Sequence, residues 1–439
     1  MNRPPWSLGA KALWAFLAAL VGPLWTWATW LRLRGSLHLI QDFAQEWLSA
    51  RNFFAGQPIY APLSESIPRH LGPGWRVGLL DVNAHPPGSV LFALPWGGLD
   101  YHAAYFTWIA LSLVALALAL YLVVSRLELS AWALLPIGTV LVISNSLAQE
   151  LNQGQWNSLL TLLIVGAWAS LRSDPRPGGR GEVAAGALLG LAAALKLYPG
   201  FLLLYLAAGR RWRGLGVGLG VALGWNALAL AVLGPQAIRS YVVEVLPALA
   251  RFRDFWPNAS LPGLASKLFV GASGHVEPLV VSPLAADSLT TVSVLALAGL
   301  VVRQAARARR QPAEHDLAFS LCVVGMLLVS PVAWDHYFLV LGLPLAALWI
   351  HTPEGSWKRS VVVLSTVGLL IVNPAWIYRW LLPGPGELAY LHGLEATVAT
   401  PWQTVTVLSF QLYLLLLLGV ALHSAVLDAG GREVYSPET

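Results

Sequence analysis

Long apolar runs alternate with short polar connections from one end of the chain to the other. A helix rises 1.5 Å per residue, so runs of about 18 residues or more can cross a hydrocarbon core of about 30 Å. Spans are expected at about 12 to 32, 102 to 124, 131 to 148, 156 to 171, 183 to 209, 214 to 233, 286 to 302, 316 to 333, 337 to 351, 359 to 377 and 402 to 424. The pattern predicts an all-α polytopic membrane protein with about 11-12 transmembrane segments. No stretch is left over for a soluble domain, so residues 1-439 are read as one membrane-embedded domain. Its long loops fall at about 33-101 and 234-285, and a short tail follows at about 425-439.

Charge orients these spans. Short basic connections at Arg172/Arg176/Arg180, Arg210/Arg211/Arg213, Arg303/Arg307/Arg309/Arg310 and Lys358/Arg359 belong on the cytoplasmic side by the positive-inside rule. The N-terminus, with Arg3 and Lys11, and the C-terminal tail join them. Segment 183-209 then has basic clusters at both ends and must enter and turn back. Each arm has about 10 to 13 residues, or about 15 to 20 Å of helix, which predicts a re-entrant or broken hairpin. Its turn is Lys196-Leu197-Tyr198-Pro199-Gly200. Proline removes a backbone donor and glycine lacks a Cβ, so both favour a break there. Tilted arms that reach the far surface are the alternative geometry.

Composition sharpens this picture. Of 439 residues 56% are hydrophobic and 11% charged, and the mean hydropathy is +0.63; soluble domains carry about 25% charged residues. The net charge of +5 and pI of 9.4 come from clusters between apolar runs, not from a continuous patch, so no nucleic-acid partner is expected. Many of the 21 tryptophans, such as Trp25, Trp27, Trp30, Trp96, Trp156, Trp334 and Trp402, stand near span ends, as in an interfacial aromatic belt. Cys322 is the one cysteine and lies in an apolar run, which argues against disulfides and thiol chemistry.

The unusual polar residues gather in the connections opposite the basic ones. Residues 41-54, from Gln41, read as an interfacial amphipathic helix in which Asp42, Gln45, Glu46, Ser49 and Asn52 share a face. Phe43, Trp47 and Phe54 face lipid or core. Asp42 and Glu46, one turn apart, could do general-base work or could simply form a solvated face. His85 stands before Pro86-Pro87-Gly88, and Gln155 lies in an amide-rich turn, Asn152 to Asn157, suited to sugar hydroxyls or to an ordinary capped turn.

Lys196 carries a stronger signal. It is one of four lysines and sits at the break inside an apolar segment. A charge there costs about 2.5 to 3.5 kcal/mol on insertion scales, which calls for an anionic partner, a water-filled cavity or snorkelling. Asp335 and His336 adjoin at the mouth of a span, with His336 suited to binding phosphate. No two-histidine zinc spacing and no nucleophile elbow occurs.

In order, these elements resemble the polyprenol-phosphate-mannose-dependent mannosyltransferases of glycosyltransferase family 87, which have the multispanning GT-C fold. The resemblance runs over most of the chain. It is carried by Asp42-Phe43 and its helix, Gly56-Gln57-Pro58-Ile59-Tyr60, His85-Pro86-Pro87 and Gly154-Gln155. It continues through Leu195-Lys196-Leu197-Tyr198-Pro199 with an arginine cluster, Asn258 to Gly263, and Ser330-Pro331 with Trp334-Asp335-His336. The resemblance implies inverting transfer of a hexose, usually mannose, from a polyprenyl-phosphate-linked sugar donor to a glycolipid or glycan acceptor. By motif position Asp42 is the implied general base, with Lys196 and His336 near the donor phosphate. Tyr198, Gln155, Asn258 and Asp335 follow as substrate-side residues by neighbourhood.

His85 stands where family members often carry an aromatic residue, which bears on sugar and acceptor choice. Side chains alone can neutralise a monophosphate, so no metal and no other cofactor is expected. The expected location is the cell membrane with the site on the periplasmic or extracellular face. The competing reading is a secondary transporter of an anionic or lipid-linked substrate, since a broken hairpin with an intramembrane lysine also suits a carrier.

Overall fold

The computed structural model describes residues 7-35, 42-73, 75, 81-307, 311-381 and 398-431. Arg3, Gln41, Arg309, Arg310, most of the expected loop at 378-401 and the end of the tail, 432-439, lie outside the described residues. Among the described residues the structure is helical, with one isolated bridge between Val276 and Ala399.

In chain order the helices are α1 (Leu8–Gly35), α2 (Asp42–Phe54), α3 (Leu63–Leu71), α4 (Pro87–Ala93), α5 (Tyr101–Arg126), α6 (Leu134–Ile143) and α7 (Asn145–Gln153). There follow α8 (Asn157–Ser173), α9 (Arg180–Leu195), α10 (Leu203–Ala208), α11 (Trp212–Leu233), α12 (Pro235–Ser240), α13 (Leu246–Ala248) and α14 (Leu261–Phe269). The last are α15 (Pro283–Arg307), α16 (Pro312–Val329), α17 (Gly342–His351), α18 (Trp357–Ser365), α19 (Pro374–Leu381), α20 (Pro401–Val405) and α21 (Phe410–Gly431). Helix α21 therefore runs on through the first part of the expected tail.

Every expected span falls largely on helix, but among the described residues six segments are long and apolar enough to cross a membrane: α1, α5, α11, α15, α16 and Pro401–Gly430. A seventh forms if Ala131–Ile143 and Asn145–Gln153, bent by 59°, count as one. The others are short or interrupted. Helix α8 has 17 residues, α17 is preceded by a 3-10 stretch at Asp335–Leu341, and α18 ends in a π turn at Thr366–Ile371. These interruptions gather at one end of the molecule. The α6/α7 bend meets the 335 region where Asn145 Nδ2 donates to Asp335 (2.6 Å), and it meets the π turn through Ser146 and Leu369. Irregular backbone at membrane depth persists where protein buries it or a cavity is lined by it.

The opposite end holds the short basic connections. Arg172 Nε donates to Arg126 O (2.8 Å), and Asp316 receives Arg172 (2.5 Å) and His351 (2.9 Å). Lys358 pairs with Asp428, and Lys11 lies 5.0 Å over the ring of Trp132. Both ends of the chain's described part, the start of α1 and the end of α21, thus belong to this basic pole.

The chain turns back at the expected place, but its first arm is longer than the roughly 10 to 13 residues expected. Helix α9 has 16 residues, about 24 Å of rise, and ends at Lys196. The return, a 3-10 turn at Tyr198–Leu202 followed by α10, is shorter. Arg211 donates to Pro175 O (3.2 Å) and Arg213 to Gly178 O (2.8 Å), so the chain comes back to the pole from which it left. Helix α9 is clamped to α11 by two pairs of glycines. A Cβ on Gly186 would lie 2.1 Å from Gly214 O, and one on Gly190 2.2 Å from Gly218 O. Four-residue spacing on both helices gives the close approach of small-xxx-small packing.

Two expectations need correction. Helix α2 occupies the first loop, but it is not an open amphipathic helix: Phe43 and Trp47 are buried on one side and Glu46, Ser49 and Asn52 on the other. Trp156 is likewise no belt residue. It is 1% exposed and packs against Trp108 with ring centres 4.6 Å apart, whereas Trp27, Trp30 and Trp402 do stand exposed.

Candidate active site

Asp42 opens α2 and stays half-buried while its neighbour Phe43 is locked in a cluster with Tyr101, Tyr105 and Trp108. Across from it, α7 ends on Gly154 in the left-handed conformation (φ +64°), and a Cβ there would lie 2.6 Å from Phe43 Cβ. Only glycine suits both demands. The turn delivers Gln155, whose backbone N–H donates to Glu150 O (3.1 Å) and whose carbonyl accepts from Trp108 Nε1 (3.2 Å).

The Gln155 side chain then makes the central contact of the site. Its Nε2 donates to Asp42 Oδ2 (2.5 Å), and its Oε1 accepts from Lys196 Nζ (2.9 Å). Gln45 gives Asp42 a second donor at 3.2 Å. Carboxylate and ammonium, which sequence order keeps far apart, thus stand one amide group from each other.

Lys196 owes its place to the His85-Pro86-Pro87-Gly88 segment. Ser89 Oγ donates to Leu195 O (2.5 Å), and a Cβ on Gly88 would lie 2.5 Å from Ala194 O. Trp225 Nε1 in turn holds Gly88 O (2.9 Å). The start of α4 therefore docks onto the end of α9, where carbonyls lack helical partners. Lys196 itself is buried, and besides Gln155 it meets Tyr337, with Nζ 4.5 Å from the ring centre and 3.5 Å from the hydroxyl.

Tyr337 joins the third part of the site. It stacks on Tyr198 (centres 5.0 Å, planes 13° apart) and stands steeply against His336 (5.0 Å, 70°). Asp335 accepts from Asn145 Nδ2 and from His336 N (2.8 Å), and its Oδ1 lies 3.4 Å from His336 Nδ1. His336 thus reaches the Lys196 neighbourhood through Tyr337.

Three expected residues have other occupations. Glu46 is buried against His85 Nδ1 (2.6 Å), Trp156 Nε1 (3.2 Å) and Asn83 Nδ2 (3.4 Å). His85 is therefore Glu46's partner, with its backbone held by Tyr60 (2.7 Å). Burial first, then the charge of Glu46, raises the Tyr60 phenol above its usual pKa, so it remains a donor. Asn258 spends its whole amide on the backbone. Nδ2 donates to Arg253 O (2.8 Å) and Pro331 O (2.9 Å), while Oδ1 accepts from Ser260 N (3.2 Å) and Ala333 N (2.9 Å). It ties the second long loop to the strand of chain leading into Asp335 and His336.

Sequence reasoning passed over Glu150, Asn157 and Tyr337. Glu150 was visible as the carboxylate two residues before the amide-rich turn, and Tyr337 as the neighbour of His336. Asn157 offered no signal apart from that stretch. Among the described residues no group of three or more His, Cys, Asp or Glu side chains is gathered so as to hold a metal ion.

A half-buried carboxylate and a buried ammonium, joined by one amide inside a polytopic helical protein, are the kind of pair a group-transfer enzyme can use, one to take a proton and the other to meet negative charge. The sequence model of glycosyltransferase family 87 matches residues 83–331, more than half of the chain, and the chain belongs to that family. It is a glycosyltransferase.

The curated relatives agree. The chain is 24% identical over 94% of its length, and 91% of the relative's, to the polyprenol-phosphate-mannose-dependent alpha-(1-2)-phosphatidylinositol mannoside mannosyltransferase of Mycobacterium tuberculosis. To the corresponding pentamannoside mannosyltransferase of Mycolicibacterium smegmatis it is 25% identical, over 72% of this chain and 71% of that one. An alpha-(1->3)-arabinofuranosyltransferase of M. smegmatis matches 52% of the chain at 24% identity, over 49% of its own length. No solved structure matches. The transporter alternative finds no support in these relatives. The family match spans Lys196, Tyr198, Gln155, Asn258 and His85, whereas Asp42, Glu46, Asp335 and His336 fall outside it.

Proposed function

We propose that this protein transfers mannose from a polyprenyl-phosphate donor to a hydroxyl of a glycolipid or glycan acceptor, with inversion at the anomeric carbon. The relatives' names support the donor and the kind of acceptor. The observation that carries the chemistry is the Asp42–Gln155–Lys196 bridge. Asp42 takes the proton of the acceptor hydroxyl as that oxygen bonds to the anomeric carbon. The bond from that carbon to the phosphate oxygen breaks, and its electron pair leaves with the polyprenyl phosphate. Lys196 and His336 meet the charge of the leaving group, so that charge is neutralised where it develops.

The remaining residues orient these three. Gln155 bridges base and cation, Asp335 steadies His336, Tyr198 backs Tyr337, and Asn258 holds the loop before Asp335. Glu46 and His85 pin α2 to the segment before α4. In this reading Asp42 is preferred to Glu46 as base because its carboxylate is half-exposed while that of Glu46 is buried and engaged. Side chains rather than a metal ion balance the phosphate. The whole of 1-439 acts as one domain in the plasma membrane, its basic pole and both termini cytoplasmic and its site on the outer face.

Purified protein incubated with radiolabelled polyprenyl-phosphate mannose and an acceptor lipid extract should move label into the glycolipid, and should still do so in chelator. Absence of transfer from any polyprenyl-phosphate sugar overturns the reading.

A further inference from the structure

Glu150 is a buried carboxylate for which the mechanism above has no use. It is 1% exposed, and its two oxygens are committed: Oε1 accepts from Ser158 N (2.7 Å) and Oε2 from Asn157 Nδ2 (2.9 Å). Asn157, also 1% exposed, passes the contact on, because its Oδ1 accepts from the Tyr198 hydroxyl (3.1 Å). Tyr198 stacks on Tyr337, over whose ring the Lys196 ammonium lies. An unbroken line of contacts runs from Glu150 to Lys196, and the backbone of Glu150 also holds Gln155 N–H, the other neighbour of that lysine.

The direction of this line is set by chemistry. Both Glu150 oxygens accept, so the Asn157 amide turns its NH2 toward Glu150 and its oxygen toward Tyr198. Tyr198 must then donate. From this we propose that Glu150 is a positioning residue of the transferase site: by fixing the donor–acceptor polarity of Asn157 and Tyr198 it holds the aromatic pair against which Lys196 is aimed. This rests on the reading of Lys196 as the group that meets the donor phosphate.

A purely structural role is the rival account, since Glu150 also satisfies Ser158 N in the first turn of α8. Glu150→Gln separates the two. Its carbonyl can still accept from Ser158 N, but its NH2 now faces Asn157, whose amide must flip and present a donor to Tyr198. The variant should keep its unfolding temperature and acceptor KM but raise the donor KM by about tenfold, or about 1.4 kcal/mol. Tyr198→Phe, which cuts the same line further on, should raise the donor KM similarly, and the double variant should be no worse than the weaker-binding single one.

A second readout needs no donor. The rate at which an amine-acetylating reagent modifies Lys196, followed by peptide mass spectrometry, should change severalfold in Glu150→Gln while that of Lys11 does not. Additive effects of the two substitutions on donor KM, or a Glu150→Gln variant altered only in thermal stability, overturn the proposal. If the wild-type protein transfers no sugar yet Lys196 reactivity responds to Glu150→Gln, the donor reading falls and the positioning role stands.

Discussion

Two carboxylates one helical turn apart have been given different chemistry by their surroundings. Asp42 is half-buried while two amides donate to it, and Glu46 is buried on the inward side of α2 against His85 and Trp156. Asp42→Asn should therefore leave the protein folded and donor-bound but slow transfer by about 10² to 10⁴, the usual worth of a general base. Turnover at saturating donor measures it, and a near-normal rate would remove Asp42 from that role. Glu46→Gln should act first on stability. Leaving buried polar partners short of an acceptor costs about 1 to 3 kcal/mol, and a lowered unfolding temperature in detergent is the expected sign. In the proposed reaction Lys196 and His336 meet one phosphate. Lys196→Met and His336→Ala should each weaken donor binding, and the double variant should depart from their sum by about 0.5 to 3 kcal/mol, as groups sharing one ligand do. Additivity within error would mean that they do not meet the same phosphate.

Among the elements, the α9–α11 contact has the sharpest consequence. Lys196 hangs at the end of α9, and α9 is held by glycines that leave no room for a side-chain atom. Gly186→Ala forces its Cβ against Gly214 O and should cost about 1 to 3 kcal/mol through overpacking. Gly216 on the same helix as Gly214 has nothing within 4 Å of its would-be Cβ, so Gly216→Ala should be neutral or mildly stabilising. Thermal unfolding of the two variants side by side checks this; equal losses would show that helix propensity rather than the clamp is being measured. The interrupted helices follow a related logic. Helices α7 and α9 end just before Gln155 and Lys196, and the 3-10 stretch at Asp335–Leu341 begins on the residues that face them.

The whole molecule is a polarised object. Arginines and lysines join the helix ends at one pole, and the candidate site lies at the other. Cysteines introduced at the exposed positions Gln57 and Arg176 should react from opposite sides with a membrane-impermeant thiol reagent, while buried Cys322 stays silent. Reaction of both positions from the same side would overturn the orientation. Much of this polarity was legible in the chain, because span length, basic connections and a proline–glycine break are local properties that one segment displays alone. The helical class, the common pole of Arg176 and Arg213 and the turn at Lys196 follow from such signals. Which polar group remains open to a substrate did not. Asp42 and Gln155 are 113 positions apart, and Asn145 and Asp335 190. Whether Glu46 is spent on His85, or Asn258 on Pro331 and Ala333, depends on which backbone atoms arrive beside them. Hydrophobic pattern and charge report what each residue prefers, whereas hydrogen-bond partners are a property of pairs, and only packed helices bring the pairs together.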